Sequence, residues 1–146
     1  LIKKEENSLT CFPNTMTMRP LDIQAGKTTP RIMYSPEENI LQIIGSSLPE
    51  NVYTLYEPVM EWIEEFVASP VMHPSMRIIF KIQYYNSGSI RYFAEILTRI
   101  ISLHDKGLHY SVEWHYEADD DNIREAGEDL SEISETPFTM IAYKNK

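Results

Sequence analysis

From Met76 to Glu117 the hydrophobic period of the chain changes twice, and each change falls on turn chemistry. Over Met76–Tyr85 apolar residues alternate. Ile78, Phe80, Ile82 and Tyr84 fall on one side; Arg77, Ile79, Lys81 and Gln83 fall on the other. This is a strand, and Ile79 implies that its second face is partly covered. The period then turns helical, with Ile90, Phe93, Ala94, Leu97, Ile100, Ile101 and His104 on one face as far as Lys106 and Gly107, where a glycine ends the helix. Residues 108–117 alternate again, with Tyr110, Val112, Trp114 and Tyr116 sharing a side. Strand, helix and strand in direct succession leave few topologies, because such crossovers join parallel strands and are right-handed in nearly all sheets.

The flanking segments extend this unit. Residues 1–27 have no clear period and read as a loosely ordered arm with a short strand at Leu21–Ile23, ahead of a domain over 28–146. Residues 31–34 and 40–44 form a hairpin across a turn of Pro36, Glu37, Glu38 and Asn39. Ser47 and Glu50 have capping-box spacing ahead of Val52, Leu55, Tyr56, Val59, Ile63, Phe66 and Val67, an amphipathic helix reaching about Ala68. Pro58 either sits near its true first turn or kinks it. Residues 119–135 are acidic and partly helical, and 137–143 make a last strand. The expected fold is a single α/β domain, a mixed sheet of about five strands in the order β-β-α-β-α-β-(α)-β, with helices mainly on one face.

Charge narrows the function. The net charge is −9, and between Glu117 and Glu135 nine acids face only Arg124. Such a chain is a poor binder of a phosphate backbone, so nucleic acid is not an expected partner. That stretch is a solvated acidic face or a docking surface. The single cysteine, Cys11, forms no internal disulfide, and no apolar run is long enough to span a bilayer. The expectation is a cytoplasmic protein without membrane insertion.

Few residue patterns suggest chemistry. There is no nucleophile elbow, and the five glycines stand singly, without P-loop or dinucleotide spacing. Glu113, His115 and Glu117 alternate along one strand, a set competent for zinc, although an exposed strand face carries polar residues at this spacing anyway. His73 and His104 are isolated, and His104 suits a helix C-terminus. Trp62 and Trp114 read as core. The corner Asn86-Ser87-Gly88-Ser89, between strand and helix, admits three readings: a cap, an anion cradle, or a hydroxyl held out for modification. One glycine in an acidic chain offers a free anion little. A hydroxyl at a helix start is well placed to accept phosphate, because free N–H groups and the helix dipole favour added negative charge there.

The segments "TPRIMYSPEENILQIIGSSLPENVYTLYEPVMEWIEEF", "YYNSGSIRYFAEIL" and "VEWHYEADDDNIREAGEDL" together resemble the SiaC family of regulatory phosphoproteins, over about Thr29 to Tyr143. The resemblance implies a protein that is not an enzyme and needs no cofactor. It implies a substrate of a serine/threonine kinase and of a PP2C-type phosphatase, in a partner-switching module. The unphosphorylated form is expected to bind and activate a diguanylate cyclase, promoting cyclic-di-GMP synthesis and biofilm growth. The logic is similar to that of anti-sigma-factor antagonists, whose STAS fold also places a phosphorylatable serine at a helix start. The family's corner is Asn-Thr-Ser-Ser with threonine as phosphoacceptor. The match puts the phosphate on Ser87, with Ser89 as second choice, and makes Asn86, Gly88, Ser89 and Arg91 the partner-binding residues.

Overall fold

The computed structural model describes residues 18–70 and 75–144. Six strands form one sheet in chain order: β1 (Leu21–Ile23), β2 (Arg31–Ser35), β3 (Ile40–Ser47), β4 (Met76–Tyr85), β5 (Tyr110–Glu117) and β6 (Thr139–Tyr143). The first three are antiparallel neighbours; β3 through β6 run parallel. Helices α1 (Val52–Ala68), α2 (Ser87–Ile101) and α3 (Asp121–Ile133) make the three crossovers, and a 3-10 turn (Ser102–Lys106) ends α2 at Gly107, φ 105°. Crossovers of one hand that always step to the next strand in one direction must lie on one face. The helices do so. Cys11 and His73 lie outside the described residues, and the sheet reaches back to Leu21 through the short strand expected there.

The core is one layer between sheet and helices. Register aligns Tyr34, Leu41, Ile78 and Val112 across the sheet, and Ile43, Phe80, Trp114 and Met140 beside them. On them sit Trp62 and Phe66 from α1, Phe93 and Leu97 from α2, and Ile123 and Leu130 from α3. Trp62 stacks on Phe66 at 5.3 Å and lies 4.6 Å from Tyr34; Phe80 lies between Phe93 and Trp114 at 5.1 and 5.5 Å. Each aromatic side chain of this size buries more apolar surface than an aliphatic one. The opposite face is mixed: Ile79 is half-buried there between Gln42 and Glu113.

Two expectations are corrected. Tyr84 does not continue the core face of β4; it is 64% exposed. The register shifts between Gly45 and Ser46, so that Gly45 pairs with Ile82 but Ser46 pairs with Tyr84. A bulge of one residue reverses the side on which later residues fall. Gly45 permits it, with φ 121° and Pro30 Cα 3.5 Å from where a Cβ would stand. In α1, Ser47 is not the cap: it ends β3, and Asn51 caps the helix by accepting from Thr54 N at 3.1 Å. Pro58 lies inside a continuous helix.

Candidate functional site

The parallel strands β3 and β4 end side by side, Ser47 opposite Tyr85, and the chain turns there into α2. Asn86 holds the turn. Its backbone is extended (φ −104°, ψ 170°), its N–H donates to Ser47 O at 3.0 Å, and its Oδ1 accepts from Ser89 N at 3.0 Å, a side-chain cap. Its Nδ2 donates to Pro49 O at 3.3 Å, tying in the loop before α1.

Ser89 belongs to the interior. It is fully buried, its Oγ 3.0 Å from Ser47 O and 2.7 Å from Ser47 Oγ, which in turn lies 2.7 Å from the Tyr56 hydroxyl. Three hydroxyls thus join the end of β3 to α1 and α2 at the point where the corner forms. Burial pushes the Tyr56 hydroxyl up to about 12, opposed in part by the bonds with Ser47 and Ser89.

Ser87, two residues earlier, is the first residue of α2 and is exposed. The first turn of α2 carries no acidic side chain, so its N-terminal dipole has no charge complement. Gly88 fits a close approach of the two helix starts: a Cβ there would stand 3.1 Å from Val52 Cγ1. Beside it lies an open groove of about 340 Å³ lined by Val52, Gly88, Arg91, Tyr92 and Glu95. Three of the four large hydrophobic side chains that are exposed among the described residues belong to this end of the sheet: Leu48, Tyr53 and Tyr84. Exposed tyrosines at this rim are of a kind enriched at protein-binding surfaces. Past Tyr84, two shallow cavities of about 360 and 480 Å³ share Gln83, Tyr84 and Asp120 and continue toward α3.

The carboxylate–imidazole set on β5 is already engaged. His115 Nε2 lies 3.0 Å from Glu113 Oε1, Arg77 Nη2 donates to Glu113 Oε2 at 2.7 Å, and Glu117 Oε1 accepts from Asp119 N at 3.0 Å. Burial alone would raise the Glu113 carboxyl; the bonds from His115 and Arg77 outweigh it and hold it below the ordinary carboxylate range. Among the described residues no three His, Cys, Asp or Glu side chains stand together as metal ligands.

The corner residues Asn86, Ser87, Gly88, Ser89 and Arg91 are therefore contiguous, but they divide by role: Ser87 and Arg91 outside, Ser89 inside, Asn86 and Gly88 as geometry. Ser47 and Tyr56 were not legible as part of the site. Ser47 has a cap-like spacing that hides its role, and Tyr56 reads as one more apolar-face residue.

A family model described as SiaC family regulatory phosphoprotein matches residues 23–143. An uncharacterized protein of Pseudomonas aeruginosa (strain UCBPP-PA14) is 29% identical over 126 residues, covering 86% of this chain and 98% of that one. The crystal structure of apo-SiaC from Pseudomonas aeruginosa is similar at TM-score 0.71 and 30% identity, over 86% of this chain and 98% of that one. A second crystal structure, of the diguanylate cyclase SiaD in complex with its activator SiaC from the same organism, gives TM-score 0.76 at 29% identity, over 84% of this chain and 99% of that one. With fold and sequence agreeing over nearly the whole described chain, the protein is a member of the SiaC family of regulatory phosphoproteins.

Proposed function

We propose that this protein is a non-enzymatic partner switch written on at Ser87. A serine/threonine kinase transfers the γ-phosphoryl group of ATP to Ser87 Oγ; ADP leaves and the hydroxyl proton is released. A PP2C-type phosphatase hydrolyses the phosphoserine and restores the hydroxyl. The unmodified form binds a diguanylate cyclase through the corner and its apolar rim, and activates it. The reading places the protein in the cytoplasm, with the nucleotides that kinase and cyclase consume.

The observation that carries the reading is the contrast between the two serines. Ser87 is exposed at a helix start, whereas Ser89 is fully buried and bonded to Ser47. A kinase must seat the hydroxyl in its own active site, so Ser89 would have to leave the core first. Phosphate on Ser87 adds about −1.5 to −2 charges without disturbing the cap. Placed beside the apolar rim, that charge must be desolvated for a partner to seat, and binding weakens.

The test uses purified protein and a diguanylate cyclase of the same organism, with cyclic-di-GMP formation as readout. Ser87→Ala is expected to bind and activate like wild type. Ser87→Glu is expected to lose about tenfold or more in affinity, about 1.4 kcal/mol. Full activation by Ser87→Glu would refute the switch.

A further inference from the structure

Among the described residues, every arginine but one is neutralised. Arg19, Arg31, Arg77, Arg99 and Arg124 each pair with a carboxylate. Arg91 makes no hydrogen bond and no ion pair, although it stands exposed in a chain of net charge −9. Its nearest helical candidate is Glu95, four residues on, which also lines the groove beside Gly88. That order, base before acid along a helix, is the weaker of the two i,i+4 arrangements.

Four residues in the other direction stands Ser87. The two positions are one turn apart on the same face of α2, and Cα–Cβ bonds in a helix lean toward its N-terminus, so the Arg91 side chain leans back over the turn that Ser87 begins. An anion at position 87 would meet the favourable order, acid before base. It would also be the first negative charge in a turn that has none.

We infer that Arg91 is the intramolecular receptor of a phosphate on Ser87. The guanidinium is unpaired in the unmodified protein and free to face a partner at the groove. Once Ser87 is phosphorylated, it swings back to the phosphate oxygens, which accept from its planar fork of N–H donors. The modification therefore acts twice, adding a charge to the surface and withdrawing a cation from it. Arg91 is a positioning residue of the switch.

The inference rests on Ser87 as the modified residue, so the test avoids any kinase: phosphoserine is installed at position 87 during synthesis of the full chain. The second ionisation of the phosphate is followed by phosphorus NMR at low salt in wild type, Arg91→Gln and Arg91→Lys. In Arg91→Gln only the helix N-terminus acts on it, and it is expected at or somewhat below the ordinary value of about 6. In wild type it is expected lower by about 0.3 or more, the effect of an exposed helical ion pair. Arg91→Lys should fall between, and the difference should shrink in about 1 M salt. Glu95 and Tyr92, the other ionisable side chains lining the groove, are the same in all three samples. Superimposable titrations of wild type and Arg91→Gln would overturn the inference. A kinase that ignores Ser87 would instead sink the switch reading and leave this titration untouched.

Discussion

Ser87 and Ser89 carry the same hydroxyl two positions apart, and the fold gives them opposite surroundings. Because Asn86 supplies the cap, Ser87 has no structural duty, and Ser87→Ala is expected to change stability by under about 0.5 kcal/mol. Ser47→Ala removes the centre of the buried hydroxyl chain: Tyr56 loses its bond with Ser47 Oγ, while the Ser89 hydroxyl keeps its bond to Ser47 O, so a loss of about 1–3 kcal/mol is expected. Urea midpoints of the two variants measure the difference; equal midpoints would contradict the division of roles. The sequence carries the corner itself, since strand alternation, Asn86 and the helical period bracket it. It does not carry the partition between the two serines. Which hydroxyl turns inward depends on β3 ending opposite Tyr85, a long-range pairing that no local pattern encodes.

At the scale of elements, α3 illustrates what periodicity leaves out. In sequence the stretch is acidic and partly helical; the structure gives it a buried face of Ile123, Ala126, Gly127 and Leu130. In the fold Gly127 is where the helix rests on the Trp114 indole, whose Cδ1 lies 2.4 Å from where a Cβ would stand. Trp114 is fully buried, and its Nε1 donates to Ile123 O at 2.9 Å, so the ring has no room to retreat. Gly127→Ala would gain about 1 kcal/mol of helix propensity and meet an overpacking cost of about 1–3 kcal/mol or more, so net destabilisation is expected. A thermal melt reads the sign; a raised midpoint would show that α3 can lift off the indole cheaply. Tyr84 is the same lesson in β4: alternation assigns it inward, and a bulge that depends on Gly45 and Pro30 turns it out to the rim.

The whole molecule is a sheet whose chain order equals its spatial order; strand–helix–strand succession implies parallel strands and right-handed crossovers, but the direction in which each crossover steps is not written in it. Its core buries two tyrosine hydroxyls, Tyr34 and Tyr56, each pushed up to about 12 by burial. For both, the folded state holds the proton more tightly than the unfolded chain, whose tyrosines ionise near 10. The stability they contribute is complete below pH 10 and is lost as pH rises from about 10 to 12. Unfolding midpoints should fall across that window, and less steeply in Tyr56→Phe; an identical slope in that variant would contradict the assignment.

The first turn of α2 carries no acidic side chain, so one phosphate on Ser87 puts the first negative charge into that turn. The most direct measurement of that claim is the position of the phosphate itself. The full chain is incubated with its cognate serine/threonine kinase and ATP, and the modified peptide is sequenced by mass spectrometry. A single phosphate on Ser87, and none on the Ser87→Ala variant, is the expected result. Phosphate on Ser89 or elsewhere, or labelling of Ser87→Ala at an unchanged rate, would contradict it.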